Sequence, residues 1–233
     1  MSWQIPKMWE GADVWIIGGG SSIIKQFEIP EKVFESVWKG SSPPSTYSPY
    51  MEFLHDKHVI GGNVAYTLGD WVDIVLYGDK NFYNRYCESL ALFPRLKVTC
   101  FPHDVKQDWL KYIPMDKDHP RGISRNPAKI SWNKNIGGAA INLAYHTGAA
   151  RVFLLGFDMN LGNSSRQHWH NVYNRGPIVE PDRVKKLPFR KHLRCFPDIA
   201  CDAKDLGLEI INVNPDSAIT QFPKCSLNQL IGC

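Results

Sequence analysis

Short apolar runs alternate along this chain with stretches whose apolar positions recur at helical spacing. The runs at 13–17, 58–63, 74–77, 97–101, 151–156 and 209–213 are apolar at most positions, odd and even alike. That pattern predicts strands buried on both faces, as in a parallel sheet. Helices are predicted near 31–38, 80–91, 138–146 and 197–206. Ala139, Leu143 and His146 share one helical face, and the Gly148 behind them suits a C-terminal cap. Alternation of this kind predicts βαβ units. The expected architecture is α/β: a single Rossmann-like domain over residues 1–233, with a doubly wound, mostly parallel sheet and helices on both faces. Ligands of such sheets sit at the carboxyl ends of the strands. That rule gathers residues 18–22, Asn63, residues 77–79 and residues 157–159 at one edge.

Two segments lack a regular pattern. Residues 40–50, rich in Ser, Pro and Tyr, read as a loop. Residues 160–191 are longer and polar, and carry Arg166, His168, His170, Arg175, Lys185, Lys186, Arg190 and Lys191. A long insertion in a compact domain is often a lid or binding loop. A solvated loop fits the same composition.

Composition narrows the class only a little. A hydrophobic fraction of 43% over 233 residues is enough for a substantial core. The formal net charge of +4 allows a phosphate-bearing partner without requiring one. No apolar run is long enough to span a membrane, and the first residues lack the apolar core of a signal peptide. The six cysteines form no Cys-x-x-Cys pair and read as reduced thiols. A cytoplasmic protein is the expectation, with its oligomeric state left open.

The chemistry begins at residues 14–23, Val-Trp-Ile-Ile-Gly-Gly-Gly-Ser-Ser-Ile. A strand running into Gly18, Gly19, Gly20, Ser21 and Ser22 lets backbone N–H groups approach an anion, and a following helix N-terminus favours phosphate. A tight structural turn fits the same residues. His168 and His170 flank Trp169. On an extended segment residues two apart point to one side, so two imidazoles could share acid/base work or grip a metal ion. Asp158 could orient one of them or ligate. The run Lys185-Lys186-Leu-Pro-Phe-Arg190-Lys191-His192-Leu-Arg194 could meet an anionic acceptor, or simply be solvated.

The segment 135–159, Asn-Ile-Gly-Gly-Ala-Ala-Ile-Asn-Leu-Ala-Tyr-His-Thr-Gly-Ala-Ala-Arg-Val-Phe-Leu-Leu-Gly-Phe-Asp-Met, resembles the core motif of two related groups. One is the small bacterial lipooligosaccharide sialyltransferases. The other is the hydroxymethylpterin diphosphokinase-like family, which has short phage-encoded members. Both are similar again at the glycine turn, at Asn-Val-Ala-Tyr, at Tyr-Gly-Asp-Lys-Asn-Phe-Tyr and at Ile-Asn-Val-Asn-Pro-Asp-Ser. The resemblance implies that Asn63 and the glycine turn hold a nucleotide, with Gly19 standing where the family has an asparagine. Gly137 matches the glycine before the central helix, and Ile136 replaces its neighbouring serine. Asp158 matches an aspartate after the strand. Two tyrosines that assist the leaving phosphate fall on Asn160 and Arg166, and the histidine base falls near His192. Asp79 matches an aspartate of the diphosphokinase-like branch, implying a nucleotide or Mg²⁺ contact.

The expected function is group transfer from a nucleotide-activated donor, foremost glycosyl transfer to an acceptor hydroxyl. Catalysis would fall to His168, His170, His192, Arg166 and Asp158. Nucleotide binding would fall to Gly18, Gly19, Gly20, Ser21, Ser22, Asn63, Asp79 and Gly137. Mg²⁺ or another divalent ion would sit on Asp79 and Asp158. The acceptor would be a small molecule or, given the phage relatives, a hydroxymethylated DNA base. Diphosphoryl transfer from ATP and nucleotide binding without catalysis are the other readings.

Overall fold

The computed structural model describes residues 3–102, 107–162, 165–172 and 186–231. Among them seven strands form one sheet in the order β5-β4-β3-β2-β1-β6-β7. The strands are β1 (Asp13–Ile17), β2 (His58–Gly62), β3 (Ile74–Tyr77), β4 (Leu96–Thr99), β5 (Leu110–Tyr112), β6 (Arg151–Leu155) and β7 (Glu209–Asn212). Every neighbouring pair is parallel. The chain builds outward from β1 to β5, then returns to lay β6 against the free side of β1.

Period-two alternation sorts each strand between two cores. Val14 and Ile16 of β1 join Val152 and Leu154 of β6 on one face, where they meet α4 (Ile136–His146) and α6 (Phe196–Leu206). Trp15 and Ile17 join Phe153 and Leu155 on the other, beneath α1 (Ser22–Gln26), α2 (Glu31–Trp38) and α3 (Lys80–Leu92). The short helices α5 (Phe189–His192) and α7 (Leu227–Ile231) complete the helical elements named here. The doubly wound α/β expectation therefore holds.

Two readings need correction. Residues 40–50 are not simply a loop: a 3₁₀ segment, Pro44–Leu54, buries Tyr47, Met51 and Leu54 completely. Its Ser and Pro residues masked that apolar spacing. The edge strand β5 went unread because three partly exposed residues carry too little periodicity.

The lid-like region at about 160–191 falls partly outside the described residues. Arg175 and Lys185 lie outside them. The portion 165–172 is described and folds back under the glycine turn, where Trp169 is fully buried. The Trp169 Nε1–H donates to the Gly18 carbonyl at 2.8 Å, and its backbone N–H donates to the Gly19 carbonyl at 3.2 Å.

Candidate active site

The sheet reverses its winding between β1 and β6, and the turns that follow those two strands interlock. The Gly18 N–H donates to the Leu155 carbonyl and the Gly20 N–H to the Gly156 carbonyl, each at 2.8 Å. A Cβ on Gly18 would lie 2.8 Å from the Gly156 oxygen, and one on Gly20 would lie 2.5 Å from the Asp158 carboxyl carbon. These glycines are thus required by the protein's own close packing. The Gly19 N–H, by contrast, has no acceptor among the described residues.

Asp158 takes the place where the sequence suggested a ligand phosphate. Its carboxylate accepts from the Ser22 N–H at 2.9 Å, the Ser22 hydroxyl at 2.5 Å and Asn214 Nδ2 at 2.9 Å. The first turn of α1 therefore already holds an anion, supplied by the protein. Ser22 serves Asp158, and Ser21 occupies the N-cap position without a side-chain capping bond. Neither serine lines the cavity described next. Burial pushes the Asp158 carboxyl up, while the bonds from Ser22 and Asn214 pull it back down.

Beside this buried carboxylate opens a cavity of about 260 Å³. Ile16, Ile17, Ala140 and Phe157 form its apolar walls, and Gly18, Gly19 and Gly20 form one edge. Asn63 follows β2 in a left-handed backbone conformation, φ 52°, and reaches the same cavity. Its side-chain Oδ1 is buried without a hydrogen-bond partner, as is Oε1 of Gln167, which also lines the cavity. Gln167 is only 8% exposed. A buried amide oxygen with no donor costs roughly 1–3 kcal/mol, so such atoms mark a place built for a ligand or water. At the first turn of α4, Asn135 Oδ1 accepts from the Gly137 N–H at 2.9 Å. A Cβ on Gly137 would lie 2.5 Å from the Phe157 ring, so this glycine lets the ring close the cavity's side.

Three imidazoles complete the lining. His168 and His170 lie ring against ring, parallel within 2° and 5.0 Å apart. The expectation that they point to one side is met. His168 Nδ1 sits 3.0 Å from the Gly19 carbonyl, which can only accept. That contact fixes the proton on Nδ1 and leaves Nε2 as the basic nitrogen of the neutral ring. Burial, and then the neighbouring His168, hold His170 well below the usual imidazole range. His192 arrives from α5, and burial together with the Lys191 charge lowers it too.

The cavity thus brings together Gly18, Gly19, Gly20, Asn63, Gly137, Asp158, His168, His170 and His192. Other candidates lie elsewhere. The Arg166 guanidinium sits over the rings of Phe34 and Trp38, at 4.6 and 4.8 Å from their centroids, and pairs with Glu35 and Glu31. It is absorbed by α2 and is not part of the cavity wall. Asn160 donates to the Asp216 carbonyl. Asp79 caps α3, accepting from the Phe82 N–H at 2.7 Å, and the Trp132 ring packs over the adjacent Gly78.

Asp79 and Asp158 follow strands separated by three sheet spacings, on the order of 14 Å, so they cannot share one ion. Among the described residues no cluster of three or more His, Cys, Asp or Glu side chains could hold a metal. The donor set does not fit the divalent ion expected on these two aspartates. Sequence reasoning missed Asn135 and Gln167 as site residues, and both line the cavity together with Phe157 and Met159 of the predicted edge. Only Asn135 carried a legible signal, as a helix-capping residue ahead of Gly-Gly.

No protein-family profile matches this chain, and comparison with curated proteins returns no match. Among solved structures, the chain is similar to the sialyltransferase CstII from Campylobacter jejuni in complex with a substrate analogue, cytidine-5'-monophosphate. The identity is 11%, with 93% of this chain and 86% of that one covered, at a TM-score of 0.50. A second structure of the same enzyme, in complex with CMP-3FNeuAc, matches at 12% identity over 92% and 85% of the two chains, with a TM-score of 0.47. At such identities the likeness is one of fold.

Proposed function

We propose that this chain is a transferase that draws on a nucleotide-activated donor, with sugar transfer to an acceptor hydroxyl as its reaction. The observation that carries the reading is the pair of unpartnered amide oxygens, Asn63 Oδ1 and Gln167 Oε1, on an apolar-walled cavity at the switch point. A nucleoside offers what they lack: N–H and O–H donors on a flat body that apolar walls can cover. The shared fold with an enzyme solved with cytidine-5'-monophosphate supports the same seat for a donor.

Among the described residues no Lys or Arg side chain lines the cavity. Phosphate charge would instead meet the Gly19 N–H and the first turn of α4, an eleven-residue helix whose dipole points its positive end there. The acceptor oxygen attacks the sugar carbon, the bond from that carbon to the phosphate oxygen breaks, and the nucleotide departs with the electron pair. The acceptor proton passes to a neutral imidazole. His192 is the assignment we favour, because it lines the cavity from α5, whose neighbouring Arg190 and Lys191 are exposed, and its lowered pKa keeps the ring neutral at pH 7. His168 and His170 are the alternatives.

A thermal-shift panel of CMP-, UDP-, GDP- and dTDP-sugars and ATP, with and without Mg²⁺, tests this. A ligand at a hundred times its Kd adds about 2.7 kcal/mol to the folded state. One sugar nucleotide should raise Tm and then be consumed in the presence of an acceptor. Conversion of ATP to AMP, or a shift with no turnover across many acceptors, would replace the reading.

A further inference from the structure

Among the described residues no Lys or Arg lines the cavity, yet the segment that supplies Pro188, Phe189 and His192 to its wall is crowded with them. Residues 186–197 carry Lys186, Arg190, Lys191 and Arg194 and no carboxylate, a local charge of +4 that equals the formal excess of the entire chain. All four side chains are exposed, and none has a salt-bridge partner among the described residues. The first carboxylate beyond them, Asp198, is engaged by Arg121 at 3.3 Å. Three members of the same short segment, Pro188, Phe189 and His192, line the cavity. Lys134 is also exposed, one residue before Asn135, whose Nδ2 meets Cys195 at 3.7 Å. It adds a further exposed cation next to a residue in contact with this segment.

We propose that this collar is an acceptor subsite that binds a phosphate group on a saccharide acceptor while its hydroxyl enters the cavity. The proposal rests on the transferase reading above. Arginine presents a planar fork suited to phosphate; Arg190 lies in α5 and Arg194 in the 3₁₀ turn Leu193–Cys195 that continues it, both exposed. Lys186 and Lys191 add charge around them. The four cations fall within residues 186–194, a short stretch of chain that fits a discrete phosphate better than a nucleic-acid backbone, which would track a longer stripe. Among the described residues this stretch also lacks the exposed large apolar side chains a membrane contact needs. The exposed large apolar side chains Met8, Tyr50, Leu92, Tyr112 and Ile231 all belong to other parts of the chain.

The test is an NMR titration of the full chain with glucose 6-phosphate, using glucose as the neutral control. A thymidine dinucleotide and phosphatidylserine vesicles, at equal phosphate concentration, form two further arms. Glucose 6-phosphate should perturb amides of residues 186–194 and weaken as salt rises, while glucose should not bind there. The Arg190→Ala/Arg194→Ala double variant should bind it about tenfold more weakly, the loss of roughly one charge-assisted bond. The same variant should keep its thermal shift with the donor sugar nucleotide. Equal binding by the variant, equal binding by glucose, or tighter binding by the dinucleotide or the vesicles would overturn the assignment. If the collar binds phosphate as described but no sugar nucleotide shifts Tm in the wild type, the transferase reading fails and the anion site stands. If a sugar nucleotide shifts Tm and phosphate ignores the collar, the collar assignment fails alone.

Discussion

Asp158 illustrates how a motif can be legible while its meaning is not. The sequence marked both the glycine turn and this aspartate, and placed them at one sheet edge. What it could not reveal is that one fills the other's anion site, since that depends on two turns 136 residues apart meeting through Ser22. The consequence is testable. In Asp158→Asn, whichever way the amide is turned, its NH₂ faces a donor. On one side stands the Ser22 N–H; on the other stands Asn214 Nδ2, whose own oxygen already accepts from Asp216. This near-isosteric change should cost about 1–3 kcal/mol in urea unfolding, the penalty of a buried unpaired donor. A wild-type midpoint in the variant would show that the carboxylate is not held as described. The imidazoles are equally open to test. His192→Gln should lower turnover by roughly 100- to 10,000-fold and leave the donor's thermal shift intact. Because burial and Lys191 lower the His192 pKa, the ring accepts protons across neutral pH. The rate should therefore hold steady near pH 7 and fall only below the ordinary imidazole range. Full activity in the variant moves the base to His168 or His170.

At the scale of elements, α4 is the piece that sequence patterning read best and that the site uses most directly. Its Gly-Gly start, its apolar face and the Gly148 turn behind it were all visible. Elements without such periodicity, the edge strand β5 and the 3₁₀ segment Pro44–Leu54, were not, because their burial comes from tertiary packing rather than spacing. The C-terminal end of α4 also stores a pH dependence. His146 is 5% exposed, its Nε2–H donates to the Lys129 carbonyl, and burial lowers its pKa to about 4. The unfolded chain binds this proton near pH 6.5, so it holds more protons than the native state between those values. Stability is then complete above pH 6.5 and falls as the pH drops toward 4, by about 3 kcal/mol at most for this one group. His146→Gln should flatten that slope in denaturation curves taken from pH 7 to pH 4, whatever its effect on the absolute midpoint. An unchanged slope would assign the acid sensitivity to other groups, with the buried His170 the next to test.

At the scale of the whole molecule, the candidate site lies where the winding reverses. The cavity is assembled from turns after β1, β2 and β6, from the start of α4 and from α5, so it joins segments spread over most of the sequence. The alternation of apolar runs predicted the sheet and its ligand-binding edge, because strand order in a doubly wound fold dictates both. It could not assign Arg166, which the family resemblance placed near the chemistry and the packing gave to α2. A bound donor should therefore act on a scattered but defined set of amides. Hydrogen exchange with the sugar nucleotide identified by thermal shift should slow at residues 16–20, 62–64, 135–140, 156–159 and 187–192. The three-residue edge strand β5 lies four strand spacings from β1 and should exchange early with or without ligand. Uniform slowing that includes β5 would mean the ligand only raises global stability. Slowing confined to the glycine turn, with α5 unchanged, would detach His192 and the basic collar from the donor site and leave the stacked pair His168 and His170 as the groups to pursue.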